Sequence, residues 1–234
     1  MIVVKLAQLP IGIDNRYSYV EDLAKDYLTD EAPIFTVKVT DEDIEREAAA
    51  SEEKFSSAYL EGIAAYRKIA ERLPEYNAVV FHGAVLGYCG KAYAFTAKSG
   101  VGKTTHTRLW IANVGADVHY LNGDKPIIRL IDGIPYAFGT PWRGKEGYGI
   151  NESLPLSAIA LLERGEKNVA SPVSPADALM RLMKQIYIPK NPTSAALTMR
   201  IAGDIASTVK LVELKCNMEP EAALVASRAM INDQ

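Results

Sequence analysis

The stretch "AKSGVGKTTHTRLW", residues 97–110, constrains this chain more than any other. It reads as the junction of a strand and a helix. The apolar run 91–96 leads into it, and "KTTHTRLWIANVG" (103–115) continues as a helix ended near Gly115. Gly102, Lys103 and Thr104 match the end of the phosphate-loop pattern, Gly-x-x-x-x-Gly-Lys-Ser/Thr, while Ala97 stands at its first position. Such a loop works through geometry. Successive backbone N–H groups make an anion-binding concavity, and the following helix presents its positive end. Gly100 and Gly102 supply backbone angles closed to other residues. Lys103 offers a point charge to the β- and γ-phosphates, and the Thr104 hydroxyl is a ligand for Mg²⁺. Alanine at position 97 changes the entry to the loop without removing its binding groups. The plainer alternative is a glycine-rich turn before a core helix.

The surrounding pattern sets the fold class. Apolar runs 78–86 and 91–96 flank Gly87 and Gly90, a hairpin signal. A strand over 117–121 follows, then a second hairpin over 127–138 turned by Asp132-Gly133. Residues 158–164 and 209–215 read as strands, and 193–207 and 219–231 as helices. A further helix over 174–187 starts at Ser174 as N-cap with Pro175 at its first position. Parallel nucleotide-binding sheets join strands by helical crossovers. Here hairpins surround the loop, so the expectation is α/β with a mixed, partly antiparallel sheet. Residues 1–75 form a small α+β N-terminal region, and 76–234 the nucleotide-binding domain. In the N-terminal part, 2–8 and 33–40 read as strands and 17–28 as a helix. Residues 52–73 have helical spacing with Phe55, Tyr59, Ile63, Tyr66 and Ile69 near one face, ended by Pro74. That tyrosine-rich helix is expected on the sheet or against a second subunit, which allows a homo-oligomer.

Composition excludes some classes. The chain of 234 residues has formal net charge −3, so no basic excess points to nucleic acid. No apolar run reaches membrane-spanning length, and the N-terminus lacks a signal peptide's pattern. Two cysteines, Cys89 and Cys216, fit no metal or redox spacing. A cytoplasmic protein with reduced thiols is expected.

Other residues qualify as candidates. Asp124 follows the strand 117–121, and a strand parallel to the one feeding the loop would end beside the phosphates. There a carboxylate either holds Mg²⁺ or takes the proton from an attacking hydroxyl. The alternative is that Asp124 caps the turn "NGD". His82, at the end of an apolar run, suits a core histidine. Arg143 and Lys145 lie in a glycine-rich loop, "GTPWRGKEGYGIN" (139–151), of a kind that closes over phosphates or simply carries solvated charge. Glu146 is a weaker metal candidate, and His106 and His119 read as structural or surface groups.

Residues 82–131 resemble the catalytic domain of HPr kinase/phosphorylase. The likeness rests on His82-Gly83, a short hairpin, the loop through Thr104, Asp124 after the next strand, and the later Arg143-Gly144. The resemblance implies a sheet related to that of phosphoenolpyruvate carboxykinase. It also implies an ATP-dependent kinase that transfers a γ-phosphate to a hydroxyl, with Mg²⁺. Ser99, Gly100, Val101, Gly102, Lys103, Thr104 and Thr105 would hold the nucleotide, ATP or another nucleoside triphosphate. Asp124 would be base or metal ligand, His82 would sit beside the reacting phosphate, and Lys103 and Arg143 would stabilise charge. Where the family shows an aspartate pair, this chain has Gly123-Asp124. The N-terminal 75 residues do not follow the family's regulatory domain, so the acceptor is an unidentified small molecule, peptide or protein serine. A nucleotide-dependent switch without transfer is the alternative. Decarboxylating carboxykinase chemistry would need a second metal, for which the sequence offers no ligand cluster.

Overall fold

The structure is a computed structural model that describes residues 1–98 and 100–231. β1 (Ile2–Leu6) and β2 (Leu9–Asp14) form an antiparallel hairpin. The sequence suggests one strand there, because the chain reverses at Ala7 and Gln8, at φ 50° and 62°, without the Gly or Asn typical of such turns. α1 (Ser18–Leu23) and a 3₁₀ turn over Lys25–Tyr27 lead to β3 (Phe35–Lys38), which lies parallel to β2. α2 (Asp41–Ala49), not expected from its alanines and charges, is nucleated by a capping box between Thr40 and Asp43.

α3 (Ser57–Arg72) starts at the Ser56 N-cap, later than its apolar pattern suggests. A 3₁₀ turn over Leu73–Tyr76 takes up Pro74. Glu61 of α3 is fully buried, and its carboxylate accepts the backbone N–H groups of Arg16 (2.7 Å) and Tyr17 (3.1 Å). These bonds satisfy donors at the start of α1 and fix α1 against α3.

The main sheet contains β4 (Ala78–Val80), β5 (Ala84–Tyr88), β6 (Lys91–Thr96), β7 (His119–Asn122), β8 (Ile127–Ile131), β9 (Ile134–Phe138), β10 (Ser153–Arg164), β11 (Val169–Pro172) and β12 (Lys210–Cys216). Its order is β4-β8-β9-β10-β6-β5-β7, with β12 beside β10 and β11 beside β12. The β8–β9 hairpin turns at Asp132-Gly133 as expected, with both residues at positive φ. β10 is shared between two directions. Its first residues pair antiparallel with β9, and after an irregularity between Leu156 and Ala158 it runs parallel to β6 and β12. The mixed sheet therefore curls along β10.

α4 (Lys103–Asn113) and α7 (Pro220–Ile231) cover one face of this sheet. α5 (Pro175–Leu182) and α6 (Pro192–Thr208) cover the other. A third apolar cluster joins the N-terminal strands and α3 to Ala78, Val80, Ile127 and Phe138. The architecture is mixed α/β, as the hairpin-rich pattern implies. No helix among the described residues is long and apolar enough to cross a membrane.

One topological detail positions the site. β6 and β7 are both antiparallel to β5, which lies between them. They therefore point the same way, and the loop after β6 opens at the same sheet end as the turn after β7.

Candidate active site

The loop between β6 and α4 has the expected shape at its glycines. Gly100 and Gly102 have φ of 76° and 120°, in the region that favours glycine. Ala97 has no positive φ, so its methyl group is accommodated. Gly102 is the N-cap of α4, and no side chain caps that end. The first-turn N–H groups, which have no partner within the helix, are available to an anion. Ser99 lies outside the described residues. Gly100, Gly102, Lys103, Thr104 and Thr105 line a cleft of about 1440 Å³. Val101 does not; its side chain packs with the apolar layer under α4 and α7.

Lys103 folds back so that its ammonium donates to the Ala97 carbonyl at 3.4 Å. No carboxylate forms an ion pair with it among the described residues. Burial lowers its pKa; Asp124 opposes that shift and Lys125 adds to it. A cation held without a carboxylate partner in a partly dry cleft is suited to a phosphate.

Asp124 is presented by a turn that it does not cap. Asn122, fully buried at the end of β7, accepts the N–H groups of Asp124 (2.8 Å) and Lys125 (2.7 Å) at its Oδ1. Its amide nitrogen donates to the Thr140 hydroxyl and carbonyl. The Asp124 carboxylate is thus left facing the cleft. It lies 3.0 Å from Lys125 Nζ and 3.6 Å from His82 Nε2.

His82 is held through its backbone. Its N–H donates to the Gln185 carbonyl at 2.6 Å, and its carbonyl accepts the Thr96 hydroxyl at 2.9 Å. The next N–H, of Gly83, donates to the Asp124 carbonyl at 3.1 Å. Burial, followed by Lys125 and Lys103, pushes the imidazole pKa down to about 4 against the opposing effect of Asp124. His82 is therefore neutral at pH 7, with a lone pair able to receive a proton. The Gln185 side chain lines the same cleft and, with Asp124, opposes the lowering of the His82 pKa.

The glycine-rich loop 139–151 packs directly on this turn. Gly144 has φ 72°, and a Cβ there would lie 2.8 Å from the Asp124 Cβ, so only glycine lets the loop come this close. Arg143 lines the cleft, with its guanidinium bonded to Asp26 at 3.2 Å. Glu146, the weaker metal candidate, pairs instead with Arg108 at 2.7 Å. At Gly123, where the family resemblance calls for a second acid, a Cβ would lie 3.3 Å from Tyr148 atoms and 3.4 Å from the Arg143 carbonyl. A side chain there would need the loop to give by a few tenths of an ångström.

His106 is buried in the core, and His119 pairs with Glu152, both away from the loop's chemistry, as their sequence positions suggest. Both cysteines are free thiols. Among the described residues no group of three His, Cys, Asp or Glu side chains gathers as a metal site. Mg²⁺ needs less from a protein, commonly one or two carboxylates plus substrate phosphates. Thr104 and Asp124 on one cleft supply a donor set of that kind.

Two contributions are hard to read in the sequence. Arg164, at the end of β10, donates to the Gly100 carbonyl (2.6 Å) and the Val101 carbonyl (3.4 Å), and so grips the loop backbone. The available signal is a charged residue ending a buried strand. The second is the opposite wall of the cleft, formed by Tyr19, Phe55, Tyr59, Ile63 and Tyr66 from the N-terminal region.

No family model matches the chain, and no curated protein does. Among solved structures, the HPr(Ser) kinase/phosphatase from Coxiella burnetii superposes with a TM-score of 0.38 at 7% identity, covering 64% of this chain and 94% of that one.

Proposed function

We propose that this protein is an ATP-dependent phosphotransferase that moves a γ-phosphate to a hydroxyl. The observation carrying this reading is the convergence, at one sheet end, of three groups. They are an uncapped helix N-terminus with the unpaired Lys103, the outward-facing Asp124, and a neutral His82 3.6 Å from it. The sequence resemblance over 82–131 supports the same reading. The lining of the cleft also carries seven lysines and arginines against four carboxylates, in a chain whose net charge is −3. That local excess favours a polyanionic ligand.

The loop amides and Lys103 bind the nucleotide's phosphates and stabilise charge on the transferring group. Mg²⁺, held by Thr104 and Asp124 together with the phosphates, would neutralise part of that charge. The acceptor hydroxyl lies between Asp124 and His82. Asp124 orients it, and either group takes its proton as the new O–P bond forms and ADP leaves. Arg143, tethered to Asp26, adds positive charge at the cleft wall.

The single carboxylate of Gly123-Asp124 favours a second reading, a nucleotide-dependent switch without transfer to an acceptor. One experiment separates the two. The protein is incubated with γ-labelled ATP, Mg²⁺ and a metabolite and peptide panel, with products read by mass spectrometry. Transfer predicts a phosphorylated acceptor. Asp124→Asn then lowers turnover by about 10²–10⁴-fold while ATP binding is retained. Turnover that survives Asp124→Asn contradicts the mechanism, and tight ATP binding without any product supports the switch.

A further inference from the structure

The two walls of the cleft differ in chemistry. The loop wall carries Lys103, with Lys125 from the turn after β7 and Lys184 from the segment after α5 also lining the cleft. The facing wall carries Tyr19 of α1, Phe55, Tyr59, Ile63 and Tyr66 on and just before α3, and Trp142. On that side Arg67 is locked onto Glu47 by bonds of 2.6 and 2.9 Å, and Arg143 is tied to Asp26. Asp22 and Lys25 bring opposite charges to its edge. The wall therefore offers rings and tyrosine hydroxyls, with Arg67 and Arg143 each held in place by a carboxylate.

The rings form two groups, with Ile63 lying between them along α3. Phe55 and Tyr59 lie 4.6 Å apart, Tyr19 and Tyr59 5.9 Å, and Tyr66 and Trp142 5.0 Å, measured between centroids. Tyr19, Tyr59, Ile63, Tyr66 and Trp142 are only partly buried and Phe55 is exposed, so apolar surface faces the cleft. From Tyr59 to Tyr66 the stripe runs about 10 Å at helical rise, and Phe55 extends it just before α3. Its inner end is joined to the Asp124 turn. The Trp142 indole donates to the Gly62 carbonyl at 3.1 Å, and the Trp142 carbonyl accepts from the same Asn122 amide group that helps hold the turn. The cleft, about 1440 Å³, exceeds the roughly 300–1000 Å³ of a single small-ligand site and has room for a second ligand beside a nucleotide.

We propose that this wall is the acceptor subsite, and that the acceptor carries its hydroxyl on an elongated body bearing aromatic or other flat apolar groups, rather than on a sugar or polyol. The proposal rests on the phosphotransfer reading above. Phosphates go to the cationic wall, and the apolar body lies along α3 with its hydroxyl at the Asp124 end. Aromatic surface of this kind binds flat groups by burial and ring contact. A small aromatic alcohol and an aromatic peptide share that chemistry, so the test contains both.

The test measures transfer from γ-labelled ATP with Mg²⁺ to 4-phenylbenzyl alcohol, to the peptide acetyl-Phe-Ser-Phe-amide, and to glycerol and glucose. At least one aromatic probe is expected to be labelled about tenfold faster than either polyol. Phe55→Ala and Tyr59→Ala are each expected to lower kcat/KM for that probe about tenfold and leave the ATP Kd unchanged, whereas Tyr59→Phe retains the rate. Unaltered thermal midpoints establish that the variants are folded, and Phe55, being exposed, serves if Tyr59→Ala is not. Preference for polyols, or label in no aromatic probe, overturns the proposal. So does weakened ATP binding in Phe55→Ala, which would give the wall to the nucleobase. Failure of the unaltered protein to bind ATP is a different result, and removes the phosphotransfer reading itself.

Discussion

The loop wall and the aromatic wall face each other across one cleft but are built in opposite ways. The loop wall is local: residues 97–105 follow one strand, and the backbone carries much of its chemistry. The aromatic wall is assembled from α1, α3 and Trp142, residues brought together only by the N-terminal strands and α3 packing on Ala78, Val80, Ile127 and Phe138. A local anion site can be encoded as a short pattern, because N–H groups point inward whenever the turn forms. A recognition wall depends on long-range packing. On the proposed reading the two walls would divide the labour, the loop holding a phosphate and the aromatic wall selecting what receives it.

Substitutions test that division in decreasing order of effect. Lys103→Ala removes the unpaired cation and is expected to slow phosphoryl transfer by roughly 10²–10³-fold, measured as labelled-phosphate transfer at saturating acceptor. An equal loss of rate in Phe55→Ala at saturating acceptor would erase the distinction between the walls. Arg164→Ala frees the Gly100 and Val101 carbonyls, and is expected to weaken ATP binding about tenfold by calorimetry. An Arg164→Lys variant, which keeps a donor but not the fork, should recover part of it.

The smallest effect concerns stability and leaves both walls chemically intact. His106, 3% exposed in the layer beneath α4, has its pKa lowered by burial from 6.5 to about 4. Above pH 6.5 the native and unfolded chains both hold it neutral, and its contribution is fully present. As pH falls toward 4 the unfolded chain takes up a proton that the native state excludes. Stability is lost across that window, by about 3 kcal/mol for this group. Thermal midpoints between pH 7 and 4 should fall less steeply in His106→Gln. His82, lowered in the same direction, adds to the slope.

Much of the loop wall was legible in the sequence because its determinants are close in the chain. The glycines at 100 and 102 act over a few residues, as do the β8–β9 turn at Asp132-Gly133 and the Ser174 cap elsewhere in the chain. Asp124 was legible as a candidate from its place after a strand. Its presentation was not, since that depends on Asn122 bonding both to the turn and to Thr140, 18 residues away. The helical spacing of α3 was clear, but its meaning was not. Phe55, Tyr59, Ile63, Tyr66 and Ile69 suggest a core face, yet of these only Ile69 is fully buried, together with Leu60, Ala64, Ala65 and Ala70. Small residues let α3 pack closely, and the larger rings are left for the cleft. Hydrophobic periodicity reports which residues share a face and not whether that face meets a core or a cleft.

The most direct test is calorimetric titration of the full chain with ATP and Mg²⁺, alongside Lys103→Ala and Phe55→Ala. The account predicts one magnesium-dependent site in the unaltered protein, binding lost in Lys103→Ala, and binding unchanged in Phe55→Ala. No binding by the unaltered protein, or equal weakening by the two substitutions, would contradict it.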